Sequence, residues 1–329
     1  MSEKLTVLIP TYNRKDRLLN TLLSLQNQTD DSFEVVLLDN ASDYDMNNVF
    51  SALDPSFVKR VSYYRNFSNI GLGGNISNIF LYCKTGWAWI LSDDDKPNQD
   101  AVEIIRNSID DNSEAAVLHF PIIELLSQKY RAFHSLNEMI DFYNPQMRTC
   151  NRSIRNGLRG DFIFLSNKVY NIPKISNYYS FMFSCSGSFI SHALIIVKIL
   201  DEKAGEVVFV NKKIVNFYPN DGSHWDIETT TRGISSIGLL AFKTISQKQR
   251  KKILKFLMFD YTYVLSRYIE NGIRNPVYLK DVYRVTFKIF STPKEKFIYR
   301  MFILMSQWGF SFAFLKLLYS KIRKRGNKL

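Results

Sequence analysis

Hydrophobic and polar positions alternate along the first 120 residues in blocks that predict strands and helices in turn. Short apolar runs bounded by turn residues predict buried strands over residues 5–9, 33–38, 61–64, 87–91 and 116–120. Apolar residues at helical spacing predict helices over residues 15–27, about 44–54, from the loop at 69–75 through residue 82, and about 99–110. This regular alternation predicts an α/β fold with a mostly parallel sheet and right-handed crossovers.

The pattern becomes less regular after residue 120. Many aromatic and turn residues fall within 121–180, and the basic stretch 151–161 predicts a flexible loop. Further along, the pattern predicts a helix over 189–200, a strand over 207–210, a loop over 219–225 and helices beyond about residue 235. We therefore predict an α/β domain over residues 1–234 and a helical, basic C-terminal region over residues 235–329.

Polar side chains follow three of the predicted strands. Residues 11–14, Asp39 with Asn40, and the acidic run 93–95 each stand where a strand ends. The carboxyl ends of parallel strands share one edge of the sheet, so we expect these groups to converge in one crevice. Open α/β folds bind their ligands at such an edge.

The acidic run contains the three adjacent residues Asp93, Asp94 and Asp95. Adjacent carboxylates repel one another, so a positive charge is expected among them. Their hard oxygen atoms favour Mg²⁺ or Mn²⁺ carrying a phosphorylated ligand. A solvated acidic turn before a helix is the alternative, and the convergence of three strand ends favours the metal.

The 329-residue chain is 46% hydrophobic and carries a net charge of +12. Of its 43 lysines and arginines, 20 lie beyond residue 240, against only 4 of its 31 acidic residues. The basicity therefore belongs to the C-terminal segment, where it predicts binding to nucleic acid, anionic lipid or a phosphorylated ligand. No nucleic-acid recognition motif accompanies the charge, which argues against that partner.

The C-terminal segment also predicts contact with a membrane. Its uncharged run over residues 301–315 is shorter than the roughly 20 residues that span a bilayer. Aromatic residues and leucines beside the basic stretch 321–325 favour a helix lying in the interface of an anionic membrane. The alternative is a helical cap on the first domain, followed by a solvated basic tail. Three widely spaced cysteines favour reduced thiols, and hence the cytoplasmic face of the cell membrane.

Four segments resemble the family 2 glycosyltransferases in both order and spacing: residues 7–14, 35–42, 69–75 and 89–95. The resemblance is strong over residues 4–120 and weak over residues 180–225. It implies a GT-A fold, a nucleotide-diphospho-sugar donor and a divalent metal, Mn²⁺ or Mg²⁺. Within the family, the chain resembles bacterial sugar transferases of O-antigen and capsule assembly.

The resemblance also implies which residues contact the donor. They are Pro10, Thr11, Tyr12, Arg14, Asp39, Asn75, Asp93 and Asp94. An aromatic face at Tyr12 suits the base, and a guanidinium at Arg14 suits the diphosphate. Asp39 matches the carboxylate that bonds the base or ribose, with a turn cap as its alternative role.

The acidic run resembles the DxD-type metal motif of the family. Ser92 stands where the family often has an acidic residue, so the register stays open between Asp93 with Asp95 and Asp94 with Asp95. Asp95 belongs to both registers and is our first choice of metal ligand, with Asp93 beside it. His224 is a third, because residues 221–225 resemble a segment of some O-antigen transferases. A surface histidine beside a packed tryptophan is the alternative.

A catalytic base is harder to assign. Inverting members of the family carry an aspartate about ninety residues after the metal motif, but residues 184–192 contain no carboxylate here. Asp161, His192 and Asp226 are the alternatives, and His192 also fits a core histidine in an apolar helix. Inversion and retention of configuration both stay open.

The resemblance therefore implies a glycosyltransferase that moves a sugar from a nucleotide donor to a lipid-linked saccharide. Two alternatives remain. A nucleotidyltransferase would need a glycine-containing phosphate loop, which residues 10–14 lack. A non-catalytic, membrane-bound saccharide-binding protein would not need an acidic run, so the intact run argues against it. Such a protein would need no catalytic base either, so the missing base keeps this alternative open.

Overall fold

The computed structural model describes residues 4–122, 126–149 and 160–216, together with single positions between 246 and 317. Its strands are β1 (Leu5–Thr11), β2 (Phe33–Asp39), β3 (Val61–Arg65), β4 (Trp87–Ile90), β5 (Lys96–Pro97), β6 (Ala115–His119), β7 (Tyr130–Phe133), β8 (Lys168–Asn171), β9 (Glu206–Val210) and β10 (Val215–Asn216). Its helices are α1 (Lys15–Gln26), α2 (Asn47–Phe50), α3 (Pro55–Val58), α4 (Leu72–Ile79), α5 (Ala101–Asp111), α6 (Leu136–Thr149), α7 (Ile172–Ile175), α8 (Tyr179–Ser184) and α9 (Ser191–Glu202). These elements belong to the first of two compact units, residues 1–221 with 242–245.

Eight strands form the main sheet in the order β3-β2-β1-β4-β8-β6-β9-β7. The four strands from β3 to β4 are parallel, as the alternation of strand and helix predicts. β8 runs antiparallel between β4 and β6, and β7 runs antiparallel to β9. β5 and β10 pair separately as a small antiparallel sheet.

The core explains why the parallel half forms. Every residue of β1 and of β4 is buried, as is all of β2 except Glu34. Continuous apolar strands of this kind require cover on both faces of the sheet. One face of α1 supplies part of it through Leu18, Leu22 and Leu25, which are fully enclosed.

Some predicted elements differ from those observed. Within the helix predicted over about 44–54, only the four residues of α2 are helical. The next helix, α3, begins at Pro55, beyond the predicted end. The strand β8 was not predicted, because its segment lacks regular apolar spacing. The predicted loop at 219–225 and most of the loop at 151–161 lie outside the described residues. Of the predicted helices beyond 235 only single positions are described, so the domain boundary at 234/235 stays a prediction.

No helix within the described part of the chain is long and apolar enough to cross a membrane.

Candidate active site

The carboxyl ends of β1, β2 and β4 bring the predicted polar residues together. Thr11 and Asp39 are paired neighbours at the ends of β1 and β2, and β4 lies on the other side of β1. Asp93 follows the end of β4, and its Oδ2 accepts a hydrogen bond from the Thr11 hydroxyl at 2.7 Å. Two of the three segments are thereby joined directly by their side chains.

Arginines neutralise part of the acidic cluster, which we define as residues 92–95. Arg14 donates from one guanidinium nitrogen to Asp93 Oδ1 at 3.0 Å and to Asp94 Oδ2 at 2.7 Å. Arg17, on the first turn of α1, reaches Asp94 Oδ2 at 3.4 Å. The positive charge expected among the carboxylates therefore comes at least partly from the chain itself.

Burial distinguishes Asp93 from its partner. The Asp93 side chain is 6% exposed and that of Arg14 is 41% exposed. Burial raises the pKa of the Asp93 carboxyl, while the charge of Arg14 and the hydroxyl of Thr11 act in the opposite direction. In this ion pair the carboxylate is therefore enclosed, and the arginine is the more exposed partner.

The remaining members of the cluster are held by hydroxyl groups. Asp94 Oδ1 accepts the Ser92 hydroxyl at 2.6 Å, and Asp95 Oδ2 accepts the Ser166 hydroxyl at 2.5 Å. The backbone oxygen of Asp95 accepts the hydroxyl of Thr21, from α1, at 3.0 Å. Asp95 is half-buried, so part of its surface stays exposed.

The cluster fits a divalent cation by the chemistry of its donors. Carboxylate oxygens are the hard ligands that Mg²⁺ and Mn²⁺ prefer. The described residues nevertheless contain no ready group of three or more histidine, cysteine, aspartate or glutamate ligands, and His224 lies outside them. Because Arg14 already contacts Asp93 and Asp94, a cation shared by those two carboxylates requires the guanidinium to move.

Asp39 lies at the second strand end and is fully buried. Its Oδ1 accepts the backbone N–H and the hydroxyl of Ser42 at 2.9 and 2.5 Å, which is the turn cap foreseen as its alternative role. Its Oδ2 accepts Arg65 at 2.7 Å and the Tyr63 hydroxyl at 3.2 Å. A contact between Asp39 and a donor base stays a prediction, and the Arg65 side chain beside Asp39 is 44% exposed.

Asn75 is a buried member of a network of side-chain amides. Its Nδ2 donates to the backbone oxygen of Leu38 at 3.1 Å, and its Oδ1 accepts Asn66 Nδ2 at 2.9 Å. The same network contains Asn40, Asn69 and Asn78. With 2% of its surface exposed, Asn75 holds the loop before α4 in place, and its contact with a donor stays a prediction.

The glycines of residues 69–75 are required by the local backbone and by packing. Gly71 has φ of +78°, a conformation that side chains rarely adopt. A Cβ at Gly73 would stand 1.7 Å from the backbone oxygen of Ser186, so α4 packs there against bare backbone. Of the other predicted donor contacts, Tyr12 is 40% exposed at the crevice, whereas Pro10 is buried within β1.

The two described candidates for the base are enclosed by protein. Asp161 is fully buried, with Oδ2 2.7 Å from His119 Nε2 and Oδ1 accepting the backbone N–H of Ile122 at 2.6 Å. His192 is 1% exposed, and its Nε2 donates to the backbone oxygen of Ile163 at 2.9 Å. Burial lowers the pKa of His192 to about 3. Neither side chain is exposed to solvent in this arrangement, and the catalytic role of both stays a prediction. Asp226 lies outside the described residues.

Sequence reasoning missed Arg17, Arg65 and Ser166. Arg17 lies three residues after Arg14, and Arg65 ends β3 in register with Asp39. A search for counter-charges to the carboxylates could have found both arginines. Ser166 belongs to no motif, and only the antiparallel pairing of β8 with β4 brings it to Asp95.

Comparison with known proteins identifies the family of the chain. Residues 6–169 match the family model described as glycosyl transferase family 2. The chain belongs to this family. The predicted family is thus confirmed, and the acidic cluster and the strand ends that surround it all lie within the matched region.

Relatives with curated sequences support the family. An uncharacterised glycosyltransferase of Haemophilus influenzae is 24% identical over 313 residues, which cover 92% of this chain and 96% of the relative. The abequosyltransferase RfbV of Salmonella typhimurium is 28% identical over 108 residues, about a third of each protein (32% of both).

Solved structures confirm the GT-A fold of this family 2 chain. The S. aureus TarS fragment 1–349 in complex with UDP-GlcNAc has a TM-score of 0.56 at 15% identity, over 87% of this chain and 82% of that one. The mannosyltransferase PcManGT of Pyrobaculum calidifontis, in complex with GDP-Man and Mn²⁺, has a TM-score of 0.51 at 13% identity, over 100% and 89% of the two chains. At such identities the likeness establishes the fold alone.

Proposed function

We propose that the chain transfers a sugar from a nucleotide-diphospho-sugar to a saccharide acceptor. The observation that carries the proposal is the meeting of Thr11, Arg14 and the acidic cluster at the carboxyl edge of a GT-A sheet. Donor complexes of two proteins of similar fold, TarS with UDP-GlcNAc and PcManGT with GDP-Man and Mn²⁺, support a nucleotide-sugar as the substrate class.

The side chains at this edge suit a diphosphate. Arg14 and Arg17 are 41% and 37% exposed, and each can donate charge-assisted hydrogen bonds to phosphate oxygens. Asp95 and Asp93 would hold a divalent cation, which neutralises the charge that develops on the diphosphate as the sugar bond breaks. Thr11 orients Asp93 through its hydroxyl, and a cation at Asp93 needs Arg14 turned away from the cluster.

A membrane-bound acceptor is the second part of the proposal. The excess of basic residues beyond residue 240 supports binding to an anionic membrane and to a lipid-diphosphate-linked saccharide. The matching segment of RfbV and the resemblance to O-antigen and capsule transferases support a role in cell-surface polysaccharide synthesis at the cytoplasmic face of the membrane.

A screen of donors tests the transfer reaction. The purified chain is incubated with a panel of nucleotide-sugars, with and without Mn²⁺, and release of nucleoside diphosphate is measured. We expect metal-dependent release from one donor, strongly reduced by Asp95→Ala and unchanged by Asp110→Ala, which alters an exposed aspartate on α5. Failure to bind or turn over any donor would refute the proposal, and binding without turnover with any acceptor tried would favour a saccharide-binding protein.

Flotation with liposomes tests the membrane part separately. We expect the full chain to float with anionic vesicles and to remain behind with zwitterionic ones. Removal of residues 296–329 should weaken flotation because it takes away the basic stretch 321–325. Equal flotation with both vesicle types would contradict an electrostatic attachment.

A further inference from the structure

Ser166 lies just before β8, is fully buried, and connects two strands at the acidic cluster. Its hydroxyl donates to Asp95 Oδ2 at 2.5 Å and accepts the backbone N–H of Ser92 at 2.8 Å. Its backbone oxygen accepts the indole N–H of Trp89 at 2.8 Å. Three bonds from one residue therefore tie β8 to the end of β4 and to the carboxylate we rank first as a metal ligand.

The chemistry of a hydroxyl makes this arrangement directional. A serine hydroxyl has one hydrogen to donate and two lone pairs that accept. The N–H of Ser92 occupies a lone pair, and the single hydrogen points to Asp95. Rotation of the Asp95 carboxylate away from Ser166 would leave a buried hydroxyl without its acceptor, which is unfavourable.

A buried polar cluster holds the serine itself in place. Asn167, the next residue, donates to the backbone oxygen of Asp161 at 3.0 Å and to its Oδ1 at 3.2 Å. The other carboxylate oxygen of Asp161 lies 2.7 Å from His119 Nε2, and Lys168 Nζ donates to Asn167 Oδ1 at 2.7 Å. All four of these side chains are at most 1% exposed, so the segment that carries Ser166 cannot shift without breaking bonds in the core.

We propose that Ser166 is a positioning residue that orients Asp95 towards the divalent cation and the diphosphate, and that Asp161 with His119 anchors it. The inference rests on the proposed function and deepens it by naming what fixes the metal ligand. Groups that orient metal ligands through a hydrogen bond typically contribute 10–100-fold to metal affinity or activity. This arrangement gives Asp161 a role through the serine, without contact to an acceptor.

Binding of Mn²⁺ to the full chain tests the inference without relying on turnover. Free Mn²⁺ is followed by electron paramagnetic resonance during titration of the protein. Ser166→Ala removes the hydroxyl but leaves the backbone oxygen that Trp89 needs, and we expect about 10–100-fold weaker binding. The control is Ser108→Ala, because Ser108 is also buried and its hydroxyl donates to the oxygen of Ile104 within α5. We expect its Mn²⁺ affinity to equal that of the unsubstituted chain.

A double-mutant cycle separates positioning from general damage to the fold. In an Asp95→Ala background the serine has no carboxylate to orient, so Ser166→Ala should then change Mn²⁺ affinity by about twofold or less. An equal loss in both backgrounds, or no loss in the unsubstituted chain, would overturn the inference. If the alanine variant does not fold, Ser166→Cys replaces it, because a thiol donates weakly at similar size. Unchanged affinity in a folded cysteine variant would then overturn the inference.

The same titration distinguishes this inference from the proposed function. A chain that binds no Mn²⁺ at all overturns the role of Ser166 towards the metal. Release of nucleoside diphosphate without added metal would, in that case, leave the transfer reaction standing.

Discussion

Replacement of Lys168 by methionine tests a consequence of the buried cluster behind the acidic residues. Lys168 is fully buried at the start of β8, and its amine donates to the oxygen of Phe164 at 2.5 Å and to Asn167 Oδ1 at 2.7 Å. Burial lowers the pKa of this lysine from 10.5 to about 7, although the nearby charge of Asp161 acts to raise it. A neutral amine can still make both hydrogen bonds, so at alkaline pH the folded chain loses only the charge.

The size of the effect follows from the two pKa values. Between pH 7 and 10.5 the unfolded chain holds a proton on Lys168 that the folded chain has largely released. The free energy of unfolding therefore rises with pH across this window, by up to about 1.4 kcal/mol per pH unit, and it is reduced as pH falls. Between pH 7 and pH 9 we expect this lysine alone to add about 2 kcal/mol.

Chemical denaturation at pH 7, 8 and 9 measures this contribution. Lys168→Met keeps the aliphatic stem and removes the titrating group, so the unsubstituted chain should gain about 2 kcal/mol relative to the variant as pH rises from 7 to 9. Loss of the two hydrogen bonds changes the stability of the variant by an amount that does not depend on pH, so the difference in slope is free of it. The exposed Lys212→Met serves as the control and should preserve the original slope. Parallel slopes for Lys168→Met and the unsubstituted chain would refute the reasoning.

Three further substitutions test other parts of the unit. Gly73→Ala places a Cβ 1.7 Å from the Ser186 oxygen and should lower the free energy of unfolding by about 1–3 kcal/mol, clearly more than Gly74→Ala, whose Cβ would stand 3.3 Å from its nearest neighbour; equal melting temperatures would contradict this. Burial lowers the pKa of His192 to about 3, so stability should fall as pH drops below about 6.5, and His192→Gln should show a shallower fall in denaturation between pH 6.5 and 5. Arg14→Gln removes a counter-charge of the acidic cluster, so titrations should show tighter Mn²⁺ binding and about tenfold weaker binding of nucleoside diphosphate. If both affinities changed in the same direction, Arg14 would not compete with the cation for the carboxylates.

The parallel half of the fold could be predicted from sequence because its signals are local. β1 and β2 are apolar runs whose side chains are nearly all buried, and α1 carries leucines at helical spacing. β8 gives no such signal, since three of its four buried residues are Lys168, Tyr170 and Asn171. The side chains of Tyr170 and Asn171 bond residues far away in the sequence. Hydrogen bonds to Phe164 and Asn167 and the nearby charge of Asp161 allow a lysine to be buried there, and a single sequence does not reveal that arrangement.

The site divides in the same way. Residues next to strand ends, such as Thr11 and Asp93, could be placed because the geometry of a parallel sheet brings their backbones to one edge. The partner of each carboxylate could not, because a hydrogen bond depends on side-chain direction. Asp161 shows the difference most clearly: a carboxylate that suited a catalytic base by residue type lies fully buried beside a histidine.

Arg14 would couple the two binding events proposed at the acidic cluster, that of a cation and that of a donor diphosphate. Arg14 bonds two carboxylates while its side chain is 41% exposed at the crevice, so it stands between the acidic cluster and the place proposed for the diphosphate. If a cation takes over neutralisation of the carboxylates, Arg14 is released to bond phosphate oxygens; conversely, a diphosphate that draws Arg14 away exposes the carboxylates to a cation. Either ligand thus removes part of the cost of binding the other, and by linkage the two effects must be equal in free energy. A crevice that carries its own counter-charge therefore favours loading both ligands together over holding either one alone.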